Sequence, residues 1–214
     1  MFSSRYPSSL VLGTRNPGKV HEIKLMLGDL PIPRLSLADF ENVGLAPEDS
    51  ETYSGNASSK ARFYARATGH IALADDSGLE VDALGGAPGV YSARYAGHDA
   101  TDADRRALLL TELTNNPGET RTARFVCVVA IASPDGELIE LFEGVCNGRI
   151  GFEARGGGGF GYDPLFIPDG YSQTFAELPE SLKNTISHRA LALAKATAFL
   201  LADFAKLDRF GNAS

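Results

Sequence analysis

Little in this chain points to cross-links, membranes or nucleic acid. Of its 214 residues only two are cysteines, Cys127 and Cys146. Both lie in strand-like apolar runs, and a hairpin turning at Pro134-Asp135-Gly136 would not set them opposite each other. The expectation is two reduced, buried thiols in a cytoplasmic protein. No Cys or His pair has the spacing of zinc ligands. No apolar run approaches the ~20 residues of a membrane span, and residues 1–8 lack the apolar segment of a signal peptide. Positive charge is also in short supply. Lys and Arg number 20 against 27 Asp and Glu, for a net charge of −7 and a pI near 5.1. That excludes general affinity for a nucleic-acid backbone, which needs a basic surface, but leaves room for a local basic pocket. There is no internal repeat and no low-complexity linker.

What is present is an ordinary globular composition, 43% hydrophobic and 22% charged, in a chain long enough for one large domain or two small lobes. Leu10-Val11-Leu12 reads as a buried strand, and Val20, Ile23, Leu27 and Leu30 follow at helical spacing. Residues 34–37 suit a short strand, and residues 41–51 are acidic and irregular. A helix is predicted from about residue 54 to 67, with Ala57, Ala61, Tyr64 and Ala65 inward. Ile71 to Ala74 reads as a buried strand ending at Asp75, followed by a half-exposed strand over residues 79–83. Thr101-x-x-Asp104 signals a helix start, with Ala107, Leu110 and Leu113 on its inner face. Residues 125–132 are apolar throughout, as in a central strand, and residues 138–145 return as its hairpin partner. A last long helix begins near Ser187, with Ala190, Leu193, Ala194, Thr197, Leu201 and Phe204 sharing one face. Hairpins mixed with helix crossovers predict an α/β fold with a long mixed central sheet flanked by helices.

Four clusters carry chemistry. Thr14-Arg15-Asn16-Pro17-Gly18-Lys19 joins the first strand to the first helix. A helix N-terminus offers free N–H groups and partial positive charge, so this turn with its lysine suits a phosphate; a plain strand–turn–helix corner with a surface lysine is the alternative. Gly13 to Lys19 also fits the core of a Walker A loop. Val20 stands where the magnesium-holding hydroxyl belongs, however, and Asn-Pro replaces glycines, so an ordinary P-loop is set aside. In Asp75-Asp76-Ser77-Gly78, two carboxylates directly after a buried strand are costly without a partner or a task. Alternation along the chain should send them opposite ways, one into a site and the other into a turn; a simple Asx turn is the alternative. Residues 156–164 contain G-x-G-x-x-G, but Pro164 and the apolar run after it leave no place for the helix of a dinucleotide site. That loop can instead deliver Phe160, Tyr162 and Asp163, either as faces that stack on a base or into the core. Finally, Ser187 is a good N-cap, placing the cations His188 and Arg189 at the unfavourable end of a helix dipole, near Lys183. An anion or a keto oxygen bound there would make sense of them, as against a solvated basic turn.

In order, these segments resemble the Ham1/RdgB-type inosine triphosphate pyrophosphatases over about residues 9–204. The matching blocks are Thr14-x-Asn16-x-x-Lys19, Asn56-Ala57-x-x-Lys60-Ala61, Ala74-Asp75-Asp76-Ser77-Gly78-Leu79, Gly85 to Arg94, Gly158 to Pro164 and Ser187-His188-Arg189. The resemblance implies one two-lobed domain over residues 9–206, with a nucleotide cleft and short tails at 1–8 and 207–214. It implies a homodimer, a Mg2+ cofactor, and cleavage of ITP, dITP or XTP to the monophosphate and pyrophosphate. Thr14, Asn16 and Lys19 are then matched to the phosphates with Lys60 assisting, Pro17 and Gly18 complete that substrate-binding turn, and Arg15, where many members carry a small residue, adds an expected phosphate contact. Asp76 is matched as general base and metal-linked residue, Glu48 as a second metal position, and Ser77 as a nucleotide contact. Phe160, Gly161, Tyr162, Asp163, Lys183, His188 and Arg189 are matched to the base. Gly55 stands where many members carry Glu, which removes any metal role at that position. Arg189, donor only, is expected to donate to the keto oxygen of the purine and reject an amino group.

Overall fold

The computed structural model describes residues 9–28, 30–116 and 120–211, with side chains to residue 202. Eleven elements follow in chain order: β1 (Leu10–Leu12), α1 (Pro17–Met26), β2 (Arg34–Ser36), α2 (Tyr53–Thr68), β3 (Ile71–Val81), α3 (Asp102–Thr114), β4 (Thr122–Ala132), β5 (Leu138–Ile150), β6 (Phe166–Pro168), α4 (Glu180–Ile186) and α5 (His188–Gly211). The strands form one mixed sheet in the order β2-β1-β3-β4-β5-β6. β1 is parallel to both β2 and β3, and the remaining pairs are antiparallel.

Side-chain alternation divides this sheet between two helical layers. Leu10, Leu12, Ile71, Leu73, Cys127, Val129 and Ile131 face α1 and α5, against Ile23, Leu27, Leu193 and Ala196. Val11, Ala72, Ala74, Val128 and Ala130 face α2, against Ala57, Ala61, Tyr64 and Ala65. Farther along β3, β4 and β5, a third cluster gathers Leu79, Val81, Phe125 and Cys146 with Leu109 and Leu113 of α3 and Phe166 and Phe175. The central strand is thus covered on both sides, as its unbroken apolar run predicts. α5 can lie this close because β5 has a glycine beneath it. A Cβ on Gly144 would fall 2.1 Å from the His188 carbonyl oxygen and 2.5 Å from the Ala192 nitrogen.

Several expectations need correction. β3 does not end at Ala74: it runs unbroken to Val81, paired with β4 from Ala72↔Ala132 to Val81↔Ala123. The Asp-Asp-Ser-Gly segment, turn-like in composition, is the middle of a central strand, because β4 pairs with its backbone and cations from three helices pair with its carboxylates. Similarly, β5 continues past Val145 to Ile150. On α3 the buried residues are Leu109 and Leu113, and Ala107 is exposed. On α5 Ala190 and Leu193 are buried as expected, and Ala192, Ala196 and Leu200 join them. Ala194 and Leu201 face out, and the side chain of Phe204 lies outside the described residues. Cys127 and Cys146 are free and buried, and in the hairpin Cys127 opposes Gly144 while Cys146 opposes Phe125. No helix among the described residues is long and apolar enough to cross a membrane.

Candidate active site

The turn after β1 is built as its sequence predicts. Asn16 caps α1, its side chain accepting from the Lys19 N–H at 3.1 Å, while Thr14 Oγ1 accepts from the Asn16 N–H at 3.2 Å. Pro17 occupies the first helical turn, where its missing N–H costs nothing. Lys19 then reaches inward to Asp75, Nζ to Oδ2 3.0 Å. Arg15 instead bonds the Val43 carbonyl, tying the turn to the acidic segment.

On β3 the two aspartates do part company. Asp75 shares the face of Leu73 and meets Lys19 and Arg189, while Asp76 shares the face of Ala74 and meets α2. Asp76 accepts from Asn56 Nδ2 at 3.1 Å and from Lys60 Nζ at 3.1 Å. Lys60 also meets Glu48, at 3.2 Å. Burial opposes the Lys60 charge, but Asp76, Asp75 and Glu48 outweigh it and raise its pKa. Asp75 is fully buried. Burial opposes its ionisation, yet the charges of Lys19, Arg189 and Lys60 hold its carboxyl well below the usual range.

Arg189 is the hub on the other side. It is 2% exposed and bonds Glu22 at 2.5 Å, Asp75 at 3.2 and 3.1 Å and Ser77 Oγ at 2.9 Å. Lys183 bonds Glu22 at 2.7 Å and Asp163 at 2.5 Å. Burial opposes the Glu22 charge as well, and Arg189 and Lys183 bring its pKa below the ordinary value. Ser187 caps α5, accepting from the Ala190 N–H at 3.2 Å. His188 stacks on Phe125, centroids 4.6 Å apart and planes 9° apart. Burial, then Arg189 and Lys183, push its pKa well below the usual value, so the ring is neutral at neutral pH. The anions that make sense of the cations at this helix start are therefore Glu22 and Asp75 of the protein itself.

The glycine loop closes the arrangement. Asp163 accepts from the Phe160 N–H at 2.9 Å, and Tyr162 donates to the Ser92 carbonyl at 3.0 Å. The Phe160 ring lies against the first helix turn, since a Cβ on Gly18 would come within 2.7 Å of it. Lys183 Nζ sits 5.3 Å from the ring centroid.

These groups surround a cleft of about 760 Å³, a volume typical of small-ligand sites. Thr14, Arg15, Asn16, Lys19, Glu48, Lys60, Asp76, Ser77, Phe160, Gly161, Tyr162, Asp163, Lys183, His188 and Arg189 all line it. Pro17 and Gly18 stand behind, shaping the turn. In a chain of net charge −7, the cleft wall carries seven Lys and Arg side chains against four carboxylates. Sequence reasoning missed Glu22, the buried carboxylate joining Lys183 to Arg189. Its one signal was an acidic residue beside Ile23 on the inner face of α1. It also missed Arg94, His98, Asp102 and Arg105 near the cleft, which sit among ordinary loop and helix residues.

Among the described residues no group of three or more His, Cys, Asp or Glu side chains forms a metal cage. Asp76 and Glu48, both on Lys60, offer two carboxylates at the cleft, the oxygen donor set that suits magnesium completed by water and phosphate.

A sequence model described as the Ham1 family matches residues 10–199. A protein named dITP/XTP pyrophosphatase from Exiguobacterium sibiricum is 50% identical over 89% of this chain and 96% of its own. One of the same name from Desulforamulus reducens is 52% identical over 89% and 94%. Among solved structures, a HAM1 protein from Coxiella burnetii superposes with a TM-score of 0.84 at 40% identity, covering 92% of this chain and 100% of that one. The Staphylococcus aureus Ham1 protein gives 0.80 at 36%, covering 91% and 99%. Motif order, sheet topology and relatives matched along nearly their full length lead to one assignment: the chain belongs to the Ham1 family.

Proposed function

We propose that this protein hydrolyses non-standard purine nucleoside triphosphates, dITP, ITP and XTP, to the nucleoside monophosphate and pyrophosphate. One observation carries the reading: a single cleft is lined by the capped helix start with Lys19, by Lys60, and by the Phe160 loop with His188. The helix start and the lysines suit phosphate oxygens, the Phe160 loop a flat heterocycle. The names of the relatives support the substrate class.

In the reaction, Lys19 exchanges Asp75 for phosphate oxygen, and the α1 N–H groups add donors. Asn56 and Lys60 fix the Asp76 carboxylate. Asp76 takes a proton from water as that oxygen bonds to the α-phosphorus. The bond from the α-phosphorus to the bridging oxygen then breaks, and pyrophosphate leaves, its charge met by lysine. Mg2+ held by Asp76, Glu48 and the phosphates would neutralise charge and polarise phosphorus. The fit is electrostatic as well as geometric: Lys19, Lys60 and Lys183 each already face a carboxylate, so a polyanion entering here needs added positive charge.

Keto selectivity through Arg189 directly is revised. Its guanidinium is committed to Glu22, Asp75 and Ser77, so its part is to hold Ser77 and the start of α5 in place around the base. A cytoplasmic homodimer without membrane or nucleic-acid partners completes the proposal, and light scattering tests the dimer. Pyrophosphate release from a panel of triphosphates with Mg2+ tests the activity. Fastest turnover of dITP or XTP supports it; faster turnover of dUTP or TTP assigns another base preference, and binding without product assigns a sensor.

A further inference from the structure

The Phe160 loop is gripped by the start of α3. Asp102, the first residue of α3, accepts from the Gly161 N–H at 2.7 Å through Oδ2. Arg106, one turn on, donates to the Gly161 carbonyl at 2.6 Å. The two peptide groups flanking Gly161 are therefore both held by one helix, 59 and 55 residues away in sequence. Asp102 is itself fixed by Arg105, Nη1 to Oδ1 2.5 Å, and Arg105 bonds the Ala100 carbonyl at 2.7 Å. The helix start is rigid in its own right, because Thr101 and Asp104 form a reciprocal capping box. Arg106 lies outside the cleft lining, so it acts only through the loop.

We propose that Asp102 and Arg106 are positioning residues for the base: α3 clamps Gly161, and the clamp sets where Phe160 and Tyr162 stand. Resting on the function proposed above, this deepens it by naming what holds the base-reading loop. The loop's other restraints lie on either side of Gly161: the Asp163 N–H donates to the Phe160 carbonyl at 3.2 Å, the Tyr162 carbonyl accepts from the Leu165 and Phe166 N–H groups, and Lys183 holds the Asp163 carboxylate. Asp163 ties the Phe160 N–H back within the same loop, and the Tyr162 hydroxyl grips at the far tip of its ring. Base contacts form before the chemical step and persist through it. Loosening them therefore removes uniform binding, which raises KM and leaves kcat nearly unchanged.

The test compares Arg106→Ala and Arg106→Lys with the unaltered protein, using dITP and dGTP. Alanine is a good helix former at this half-buried position, and lysine keeps a donor for the carbonyl. A lost charge-assisted hydrogen bond predicts a KM for dITP raised roughly tenfold in Arg106→Ala, with kcat within about twofold and partial recovery in Arg106→Lys. The dITP-over-dGTP ratio falls with it. Amide hydrogen exchange of residues 158–163, measured without nucleotide, accelerates in Arg106→Ala and in Asp102→Asn. Unchanged KM, ratio and exchange would overturn the clamp, as would an equal loss of kcat with both substrates. If the unaltered protein turned over neither nucleotide, the functional reading would fall. The exchange data would still decide whether α3 holds the loop.

Discussion

Replacing Arg189 with methionine tests the buried charge network most directly. Methionine fills much of the arginine stem's volume but leaves Glu22 and Asp75 without their shared guanidinium. Removing one partner of a buried ion pair typically costs about 3–5 kcal/mol, because the remaining charge is stranded. Here each carboxylate keeps one cation, Lys183 on Glu22 at 2.7 Å and Lys19 on Asp75 at 3.0 Å, which places the loss near the lower bound, about 3 kcal/mol. At roughly 2–4 °C per kcal/mol for a domain of this size, the melting temperature falls by about 6–12 °C. The loss also has a pH signature. In the intact protein Glu22 and Asp75 have folded pKa values below their unfolded ones. Their stabilisation is therefore complete above the unfolded carboxylate range, near pH 4, and is lost as pH falls through the lowered values. In the variant those pKa values rise, so its deficit is full at pH 7 and shrinks on acidification. Urea unfolding of both proteins at pH 7 and about pH 4 reads this out. A variant as stable as the parent at pH 7, or a deficit that grows on acidification, refutes the account of Arg189 as a structural hub.

Other outcomes follow from the same geometry. Asp76→Asn keeps the shape and one acceptor but removes the base; turnover of dITP should fall by roughly a hundredfold or more with nucleotide binding largely retained in calorimetry. Lys19→Ala should raise KM and leave Asp75 with Arg189 alone, so a kinetic titration showing an unaltered KM would remove its phosphate role. Chelation of divalent metal should abolish pyrophosphate release, and Mg2+ should restore it. The two thiols should resist iodoacetamide at pH 7 until the chain is unfolded, because burial pushes Cys127 up to about 12 and Cys146 up to about 11.

How much of this was legible beforehand depended on whether the governing partners were local. The α1 turn was, because Asn16, Pro17 and Lys19 act on neighbouring backbone. So was the inner face of α2, whose small residues recur at helical spacing. Asp75-Asp76-Ser77-Gly78 was misread as a strand end, since local turn propensity yields to a ten-residue register with β4 and to cations brought from α1, α2 and α5. The separation of the two carboxylates was nonetheless foreseen, as it follows from backbone alternation alone. The face of α5 was legible only in part: Ala190 and Leu193 are buried, but Ala194 and Leu201 face out while Ala192, Ala196 and Leu200 turn to the sheet. Glu22 was invisible: a carboxylate becomes a core residue only when two cations from the far end of the chain arrive. The position of Arg189 at the start of the last helix was read correctly, but the partners its guanidinium meets there, Glu22, Asp75 and Ser77, come from distant elements and left no local trace.

The alternation along β3 has an evolutionary corollary. Deleting or inserting one residue between Leu73 and Asp75 would send the carboxylate meant for Lys60 toward Lys19, and the reverse, while turning Ser77 away from Arg189. Such an indel would invert the wiring of both helical layers in a single mutational event. The middle of β3 therefore tolerates a change of residue but not a change of length.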